Sequence, residues 1–252
     1  MRGDMTPKQL IAKRRIKSVA GFIWPRQSLV SGERDEGAVS AADWAKLHFI
    51  TRPYCHQCGV PQPIELSEQE RCAVCSANPP RWNRGRAALA YDEASRRPIL
   101  NLKRSGRRDG LSVLAGWMIH AGRPLLEEAD HLVPIPLHMT RLAWRGFNQA
   151  GWLANAISRQ MGVSVLHDGL FRRRRTGSQE GLSVNQRAEN VRNAFKVPRR
   201  RNTCIKNKRI VLIDDVFTTG ATVTAATRAL YKAKARNVDV LVLARVLRDT
   251  QL

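Results

Sequence analysis

At 252 residues the chain has room for one α/β domain of ordinary size and a small appendage, and its 43% apolar content excludes a chain too polar to build a core. No run approaches the roughly 18 consecutive apolar residues of a membrane span, and the N-terminal stretch MRGDMTPKQLIAKRRIKSVAGF interleaves charge where a secretory signal needs an unbroken apolar segment, so the cytoplasm is the expected location. A formal charge of +22 goes far beyond what solubility requires and points to a polyanionic partner; the competing reading is an Arg-rich surface that is merely solvated.

In chain order, the N-terminus reads as a basic amphipathic helix followed by breakers around Trp24-Pro25 and Gly32, and Ala41–Phe49 carries a short helical pattern. Residues 53–80 are rich in Pro and polar residues and contain two cysteine pairs, Cys55-x-x-Cys58 and Cys72-x-x-Cys75. Five cysteines in a chain of this expected location argue against a disulfide framework. Two pairs separated by 13 residues, with Gly59 after the first, suit one tetrahedral Zn²⁺ held by four thiolates in a segment with little core of its own. A redox C-x-x-C is the alternative, but that motif opens a helix of a thioredoxin-like unit, which has no counterpart here. His56 reads as a knuckle residue, not as a ligand. Cys204 stands alone.

From residue 87 strands alternate with helices. AALAYD reads as a strand, Pro98–Leu102 and Leu111–Ala121 as helix, HLVPIPL as a buried strand, Gln149–Met161 as an amphipathic helix and Val163–Leu166 as a short strand. Between them, residues 130–150 run from the buried strand into Pro134 and Pro136, which stiffen the turn. Arg141, Arg145, Asn148 and Gln149 then offer donors for an anion, unless they form only a solvated basic helix start. Residues 172–193 are polar and too long for an ordinary connection, so they read as a mobile functional loop. The surrounding segment 171–209 holds 13 Lys and Arg against Glu180 and Glu189, a net +11 and half the charge of the chain. Arg172, Arg173, Arg174 and Arg175, its densest run, and the run Arg199–Arg201 are the expected contacts to a nucleic-acid backbone, single-stranded DNA in particular, with a solvated or substrate-closing loop as the other use. Few aromatics are interleaved, so no base-stacking platform is indicated.

The last third is the clearest. IVLIDDV is a strand, Ala221–Ala235 a helix and VDVLVLARV a second strand, which together make a crossover unit of a parallel α/β sheet. In such sheets ligands sit at the carboxyl edge. There Asp214 and Asp215 precede Thr218, Thr219, Gly220, Ala221 and Thr222. Gly220 permits close backbone approach, the helix start offers N–H donors and partial positive charge, and the hydroxyls converge on the same point, a cradle for phosphate. The two carboxylates suit the vicinal hydroxyls of a ribose, so a ribose 5-phosphate fits both halves. Helix capping alone accounts for one such residue, not two Asp and three Thr.

The string IVLIDDVFTTGATV resembles the phosphoribosyl pyrophosphate (PRPP) loop of type I phosphoribosyltransferases, and the resemblance implies that Asp214 and Asp215 hold the ribose while Thr218 through Thr222, with Gly220 and Ala221, hold the 5-phosphate. DHLVPIPLHMTRLAWRGFNQA, SQEGLSVNQRAENVRNAF and YDEASRRPILNLKRSGRRD resemble the ComF-type competence protein family, over roughly two thirds of the chain from Tyr91 onward. That family implies a type I phosphoribosyltransferase-like parallel sheet flanked by helices at 86–252, with a small N-terminal zinc-ribbon-like module at 1–85. It also implies a pyrophosphate loop made of Pro136, Leu137, Arg141 and Arg145 with Lys103 nearby, Mg²⁺ accompanying PRPP, and a role beside the DNA-uptake machinery. Many members carry an earlier C-x-x-C where this chain has Ser28-Leu29-Val30-Ser31-Gly32, and serine is a poor zinc ligand, so one metal site is expected. No acceptor pocket and no catalytic base are legible. Both a transferase acting on PRPP and a non-catalytic module that senses PRPP or a nucleotide and binds single-stranded DNA fit these residues.

Overall fold

The computed structural model describes residues 28–33, 38–63, 70–104, 110–173 and 194–247, and the chain divides into two units, Met1–Lys46 and Leu47–Leu252. The expected N-terminal basic helix, up to residue 27, lies outside the described residues. In the first unit a turn at residues 28–33 is joined by the one-turn helix α1 (Ala41–Trp44), which Ser40 caps by accepting a hydrogen bond from the Asp43 N–H at 3.1 Å. Asp43 is buried, and its carboxylate accepts from the hydroxyls of Ser28 (2.5 Å) and Ser31 (2.6 Å).

The second unit is built on a five-stranded parallel sheet in the order β1-β7-β6-β2-β3, with β1 at Gly85–Ala90, β2 at His131–Pro134, β3 at Ser164–Val165, β6 at Arg209–Phe217 and β7 at Asn237–Arg245. Strands β6 and β7 read as near-continuous apolar runs because helices cover both faces. Ile210 and Leu212, with Val238, Val240 and Val242, pack in one cluster with Val223, Ala226 and Leu230 of helix α8 (Ala221–Lys232). Leu241 points the opposite way, onto Gly122 of helix α4 (Leu111–Glu127), where an added Cβ would stand 2.6 Å from its methyl. Burial of each such Ile or Leu contributes about 1.5–3 kcal/mol. Helix α6 (Gln149–Met161) lies against α4, β2 and β6 and ends at Gly162 in the left-handed conformation.

The structure moves several expected boundaries. Helix α3 (Glu93–Arg104) begins five residues before Pro98, because Asp92 and Ser95 cap it reciprocally: Ser95 N donates to Asp92 Oδ1 and Asp92 N to Ser95 Oγ, both at 2.9 Å. The strand expected at AALAYD starts earlier, at Gly85, where it pairs with Val240, and leaves Tyr91-Asp92 to that cap. After Trp44 the chain does not stay helical, since His48 and Ile50 exchange backbone hydrogen bonds with Ala90 and Ala88. A helix unmarked by the sequence reading, α5 (Met139–Arg145), follows β2. Short strands β4 (Phe171–Arg172) and β5 (Phe195–Lys196) pair antiparallel and tie the two ends of the long polar segment together, of which residues 174–193 lie outside the described residues.

The cysteine pairs, with helix α2 (Ala73–Ala77) between Cys72 and the sheet, are part of this second unit. Gly59 has φ 71° and sits so close to the sheet that a Cβ would stand 2.3 Å from the carbonyl oxygen of Gly85. No other residue fits there. Gly85 N donates to Gln57 O at 2.7 Å, and the Arg86 guanidinium donates to His56 O while lying 4.4 Å from the Tyr54 ring centre. Among the described residues no helix is long and apolar enough to cross a membrane.

Candidate functional site

Because all five strands run the same way, the loops that follow β2 and β6 leave from one edge of the sheet, and the pairing of Pro134 with Ile213 sets them side by side. Asp214 is half-buried and Asp215 is 5% exposed. Asp215 accepts from the Gln149 amide at 2.9 Å and from the Val216 N–H at 2.7 Å, and Asp214 accepts from the Asp215 N–H at 2.9 Å. Gln149 in turn accepts from the Arg145 guanidinium at 3.1 Å. A line of hydrogen bonds therefore runs from Arg145, in the last turn of α5, through Gln149 to the carboxylate of Asp215. Asn148 caps α6 by accepting from Ala150 N and donates to Ile135 O, both at 3.1 Å.

These contacts revise one expectation. Asn148 and Gln149 are expected as anion donors, but one donor of each amide is engaged within the protein: Gln149 ties the loop after β2 to the end of β6, and Asn148 closes the connection after β2 onto the start of α6. Gln149 is a positioning residue that the sequence reading placed in the right region with the wrong partner. The signal available for it was a polar residue in the first turn of a helix whose neighbours are apolar, and Gln149 is 5% exposed.

The loop itself keeps the expected features. Gly220 has φ 76° and is the N-cap of α8 without a capping side chain; a Cβ there would lie 2.7 Å from the Phe217 ring and 3.2 Å from that of Trp82. Trp82 and Phe217 meet edge to face at 5.6 Å and form an aromatic bed under the loop, and Trp82 was not singled out from the sequence. Thr218 is exposed, Ala221 and Thr222 are half-buried, and the Thr219 hydroxyl is buried with no hydrogen-bond partner among the described residues. A buried donor left without a partner costs about 1–3 kcal/mol. Beside an uncapped helix start, it fits a phosphate oxygen.

Of the other expected residues, Pro136 and Leu137 lie half-buried in the loop after β2, next to this site. The side chains of Lys103 and Arg141 lie outside the described residues, as do Arg174 and Arg175. Arg172 is 6% exposed and its guanidinium stands 5.4 Å from the Phe195 ring centre, whereas Arg173 is exposed.

The four cysteines come together as expected. Their sulfurs lie within 4.8 Å of one another, all buried, and the Cys58 and Cys72 sulfurs are 3.8 Å apart, matching the separation of about 3.8 Å that bonds of about 2.3 Å impose in a tetrahedral thiolate site. Cys58 N and Cys72 N both point at the Cys55 sulfur, at 3.5 and 3.3 Å. Hydrogen bonding from Cys58 draws the Cys55 thiol down to about 4; the same contact, reinforced by burial, drives Cys58 far above the ordinary thiol range, and burial pushes Cys75 up to about 12. Four buried thiols can all ionise only around a cation, so the donor set fits a metal ion. The Arg245 guanidinium, 4.7 Å from the Phe217 ring centre, donates to Cys58 O and links this centre to the end of β7.

The chain resembles known proteins. The model of the phosphoribosyl transferase domain matches residues 148–251. DNA utilization protein YhgH of Escherichia coli K12 is 32% identical over 198 residues, covering 77% of this chain and 84% of that protein. Competence protein F of Haemophilus influenzae is 30% identical over 198 residues, covering 77% and 85%. Among solved structures, orotate phosphoribosyltransferase from Aeropyrum pernix aligns with 63% of this chain and 80% of its own at 14% identity, with a TM-score of 0.33. From the sequence matches, the chain belongs to the ComF family, that of competence protein F and DNA utilization protein YhgH.

Proposed function

We propose that the protein is a ComF-type phosphoribosyltransferase-like protein whose Asp214–Thr222 loop binds PRPP or a related ribose 5-phosphate, and that it acts in DNA uptake during natural transformation or in nucleotide metabolism. The observation that carries this reading is the partnerless buried hydroxyl of Thr219 at the uncapped start of α8, four residues after Asp215, whose carboxylate Gln149 holds. The Thr219 hydroxyl and the first N–H groups of α8 hold the 5-phosphate. Asp214 and Asp215 accept from the ribose hydroxyls with the lone pairs their internal partners leave. Pro136, Leu137, Arg141 and Arg145, with Lys103, face the pyrophosphate. Displacement of pyrophosphate at C1 by a nitrogen nucleophile is the reaction this arrangement suits, and Mg²⁺ accompanying PRPP would supply neutralising charge for the leaving pyrophosphate. Residues 1–85 serve as the metal module, with one structural zinc at Cys55, Cys58, Cys72 and Cys75, and residues 86–252 as the ribose-phosphate domain, in the cytoplasm.

A second reading keeps the same pocket as a sensor without turnover, on a protein that binds single-stranded DNA through Arg173, Arg174 and Arg175, with Arg172 turned inward over Phe195. The concentration of half the net charge in segment 171–209, together with the relatives' names, favours it. The test of the shared pocket is calorimetric titration with PRPP. Replacing Asp214 and Asp215 by Asn costs about 1.5–3 kcal/mol per lost charge-assisted bond, so affinity falls tenfold or more. Thr219→Val weakens PRPP and ribose 5-phosphate alike, while free ribose leaves the wild-type melting temperature unchanged. Equal PRPP binding by the folded double Asn variant would sink the pocket. Pyrophosphate release in an acceptor screen separates the enzyme from the sensor.

A further inference from the structure

Helix α8 carries a second feature beyond its first turn. The side of it that bears Ala225, Ala229 and Ala233 forms, with the β4–β5 ribbon, a cleft of about 690 Å³. Five cations line it: Arg173, Lys196, Arg199, Arg228 and Lys232. All five are exposed, and among the described residues no carboxylate lines the cleft and none of the five has an ion-pair partner. The neighbouring Arg200 and Arg201 are instead tied to Asp168 at 2.9 and 2.7 Å. Five like charges set over an apolar floor repel one another at modest screening, so the cleft is prepared for an anion from outside. It shares no residue with the Asp214–Thr222 loop.

We infer that this cleft binds the phosphate backbone of single-stranded nucleic acid. The inference rests on the DNA-binding reading above and gives it a place. A small polyanion is the weaker fit, because among the described residues no buried polar side chain lines the cleft to fix one orientation, and its charges sit on long exposed stems. An acidic peptide with an apolar anchor is weaker too: Phe195 and Val197 are each 6% exposed, and the alanines offer no depth. Arg228 and Lys232 stand one turn apart, about 6 Å along the helix axis, a pitch that meets successive phosphates of an extended strand. With Phe195 buried, no ring in the cleft is free to stack a base, so contact runs through the backbone and is independent of sequence.

The test is fluorescence anisotropy of a labelled oligothymidylate with the full chain across a salt series. Each phosphate contact contributes about 0.7 to the slope of log affinity against log salt for a single strand, so R228A/K232A flattens the slope by about 1.4 and weakens binding several-fold at low salt. K196A/R199A, on the opposite wall, does the same. The PRPP-induced rise in melting temperature, unchanged in both variants, reports that fold and loop are intact. A wild type that binds no oligonucleotide overturns the DNA-binding reading and this inference with it. Wild-type binding with an unaltered slope in both variants overturns the cleft alone. Tighter binding of duplex than of single strand, or displacement of the oligonucleotide by a polyglutamate peptide at lower concentration, overturns the assignment of the occupant.

Discussion

The turns Cys55–Gly59 and Ser28–Gly32 are built on the same backbone frame. In each, a glycine with positive φ, 71° at Gly59 and 76° at Gly32, follows the second of two like residues, and its N–H donates to the carbonyl of the first at 2.9 Å. What the turns enclose differs in sign. The first gathers sulfurs at spacings that suit a cation. The second aims two hydroxyls and the Ser31 N–H at one oxygen of the buried Asp43, while Lys46 approaches the other at 3.1 Å. The frame therefore fixes only the direction of two side chains, and their chemistry selects the centre: thiols lose protons to a metal, whereas hydroxyls keep theirs and donate to a carboxylate. At Ser28–Gly32 this chain therefore has a knuckle built around an anion.

The largest effect that tests the contrast is loss of metal. Native mass spectrometry is expected to find one zinc per chain. Two would mean that the serine turn also holds a cation, and none after reconstitution would remove the cysteine half of the comparison. Structural zinc sites in small peptides are worth about 10–16 kcal/mol of apparent binding, so Cys72→Ser unfolds its surroundings locally. Hydrogen exchange should accelerate at residues 53–80 while β6 and α8 stay protected. Loss of protection throughout the sheet would show instead that the module is required for the whole unit.

Asp43 comes next. Hydrogen bonds from Ser28 and then Ser31 hold its carboxyl well below the usual carboxylate range. Because the folded-state value lies below the unfolded one, the contribution of Asp43 is fully present at neutral pH and disappears as pH falls below about 4. Asp43→Asn costs about 2 kcal/mol at pH 7, since an amide oxygen accepts more weakly and its NH₂ faces two hydroxyls. Exchange of the amides of residues 28–33 measures it. The variant should be indifferent to acid over the window in which wild type loosens, and a parallel decline in both would assign the acid sensitivity elsewhere.

How much of this could be read in the sequence depended on the range of the contacts. The strand, loop and helix from Arg209 to Lys232 were legible because every signal in them is local: an apolar run, two carboxylates, then Gly220 at a helix start. The cysteine site was legible because metal geometry dictates ligand type and spacing. Gln149 was misread because its partner, Asp215, is 66 residues away, and a glutamine near arginines looks like an anion ligand until that partner is known. Arg172 looked equal to Arg173, yet strand alternation turns neighbouring side chains to opposite faces, and Arg172 goes inward over Phe195. The start of α3 was missed because Pro98 suggested a first turn, whereas Asp92 and Ser95 had already supplied the cap. The cleft over α8 joins residues from 173 to 233, which no window on the sequence brings together. Asp43 belongs to the same class, a lone carboxylate whose hydroxyl partners lie 15 and 12 residues upstream.

The smallest effect separates the two serines. Ser28 is buried, and its hydroxyl both donates to Asp43 at 2.5 Å and accepts from Val30 N at 3.3 Å, so Ser28→Ala removes two contacts and leaves a buried acceptor less satisfied. Ser31 is half-buried, and after Ser31→Ala its own backbone N–H still reaches Asp43 at 3.2 Å, with solvent close enough to replace the hydroxyl. The expected costs are about 1.5 kcal/mol for Ser28→Ala and about 0.5 kcal/mol for Ser31→Ala. Both belong to the carboxylate, so in an Asp43→Asn background each should shrink, the signature of a shared centre in a double-mutant cycle. Local exchange at residues 28–33 reads all four corners. If Ser31→Ala costs as much as Ser28→Ala, or if either cost persists when Asp43 is Asn, the hydroxyls act on the turn itself and not through the anion, and the serine turn is no counterpart of the cysteine one.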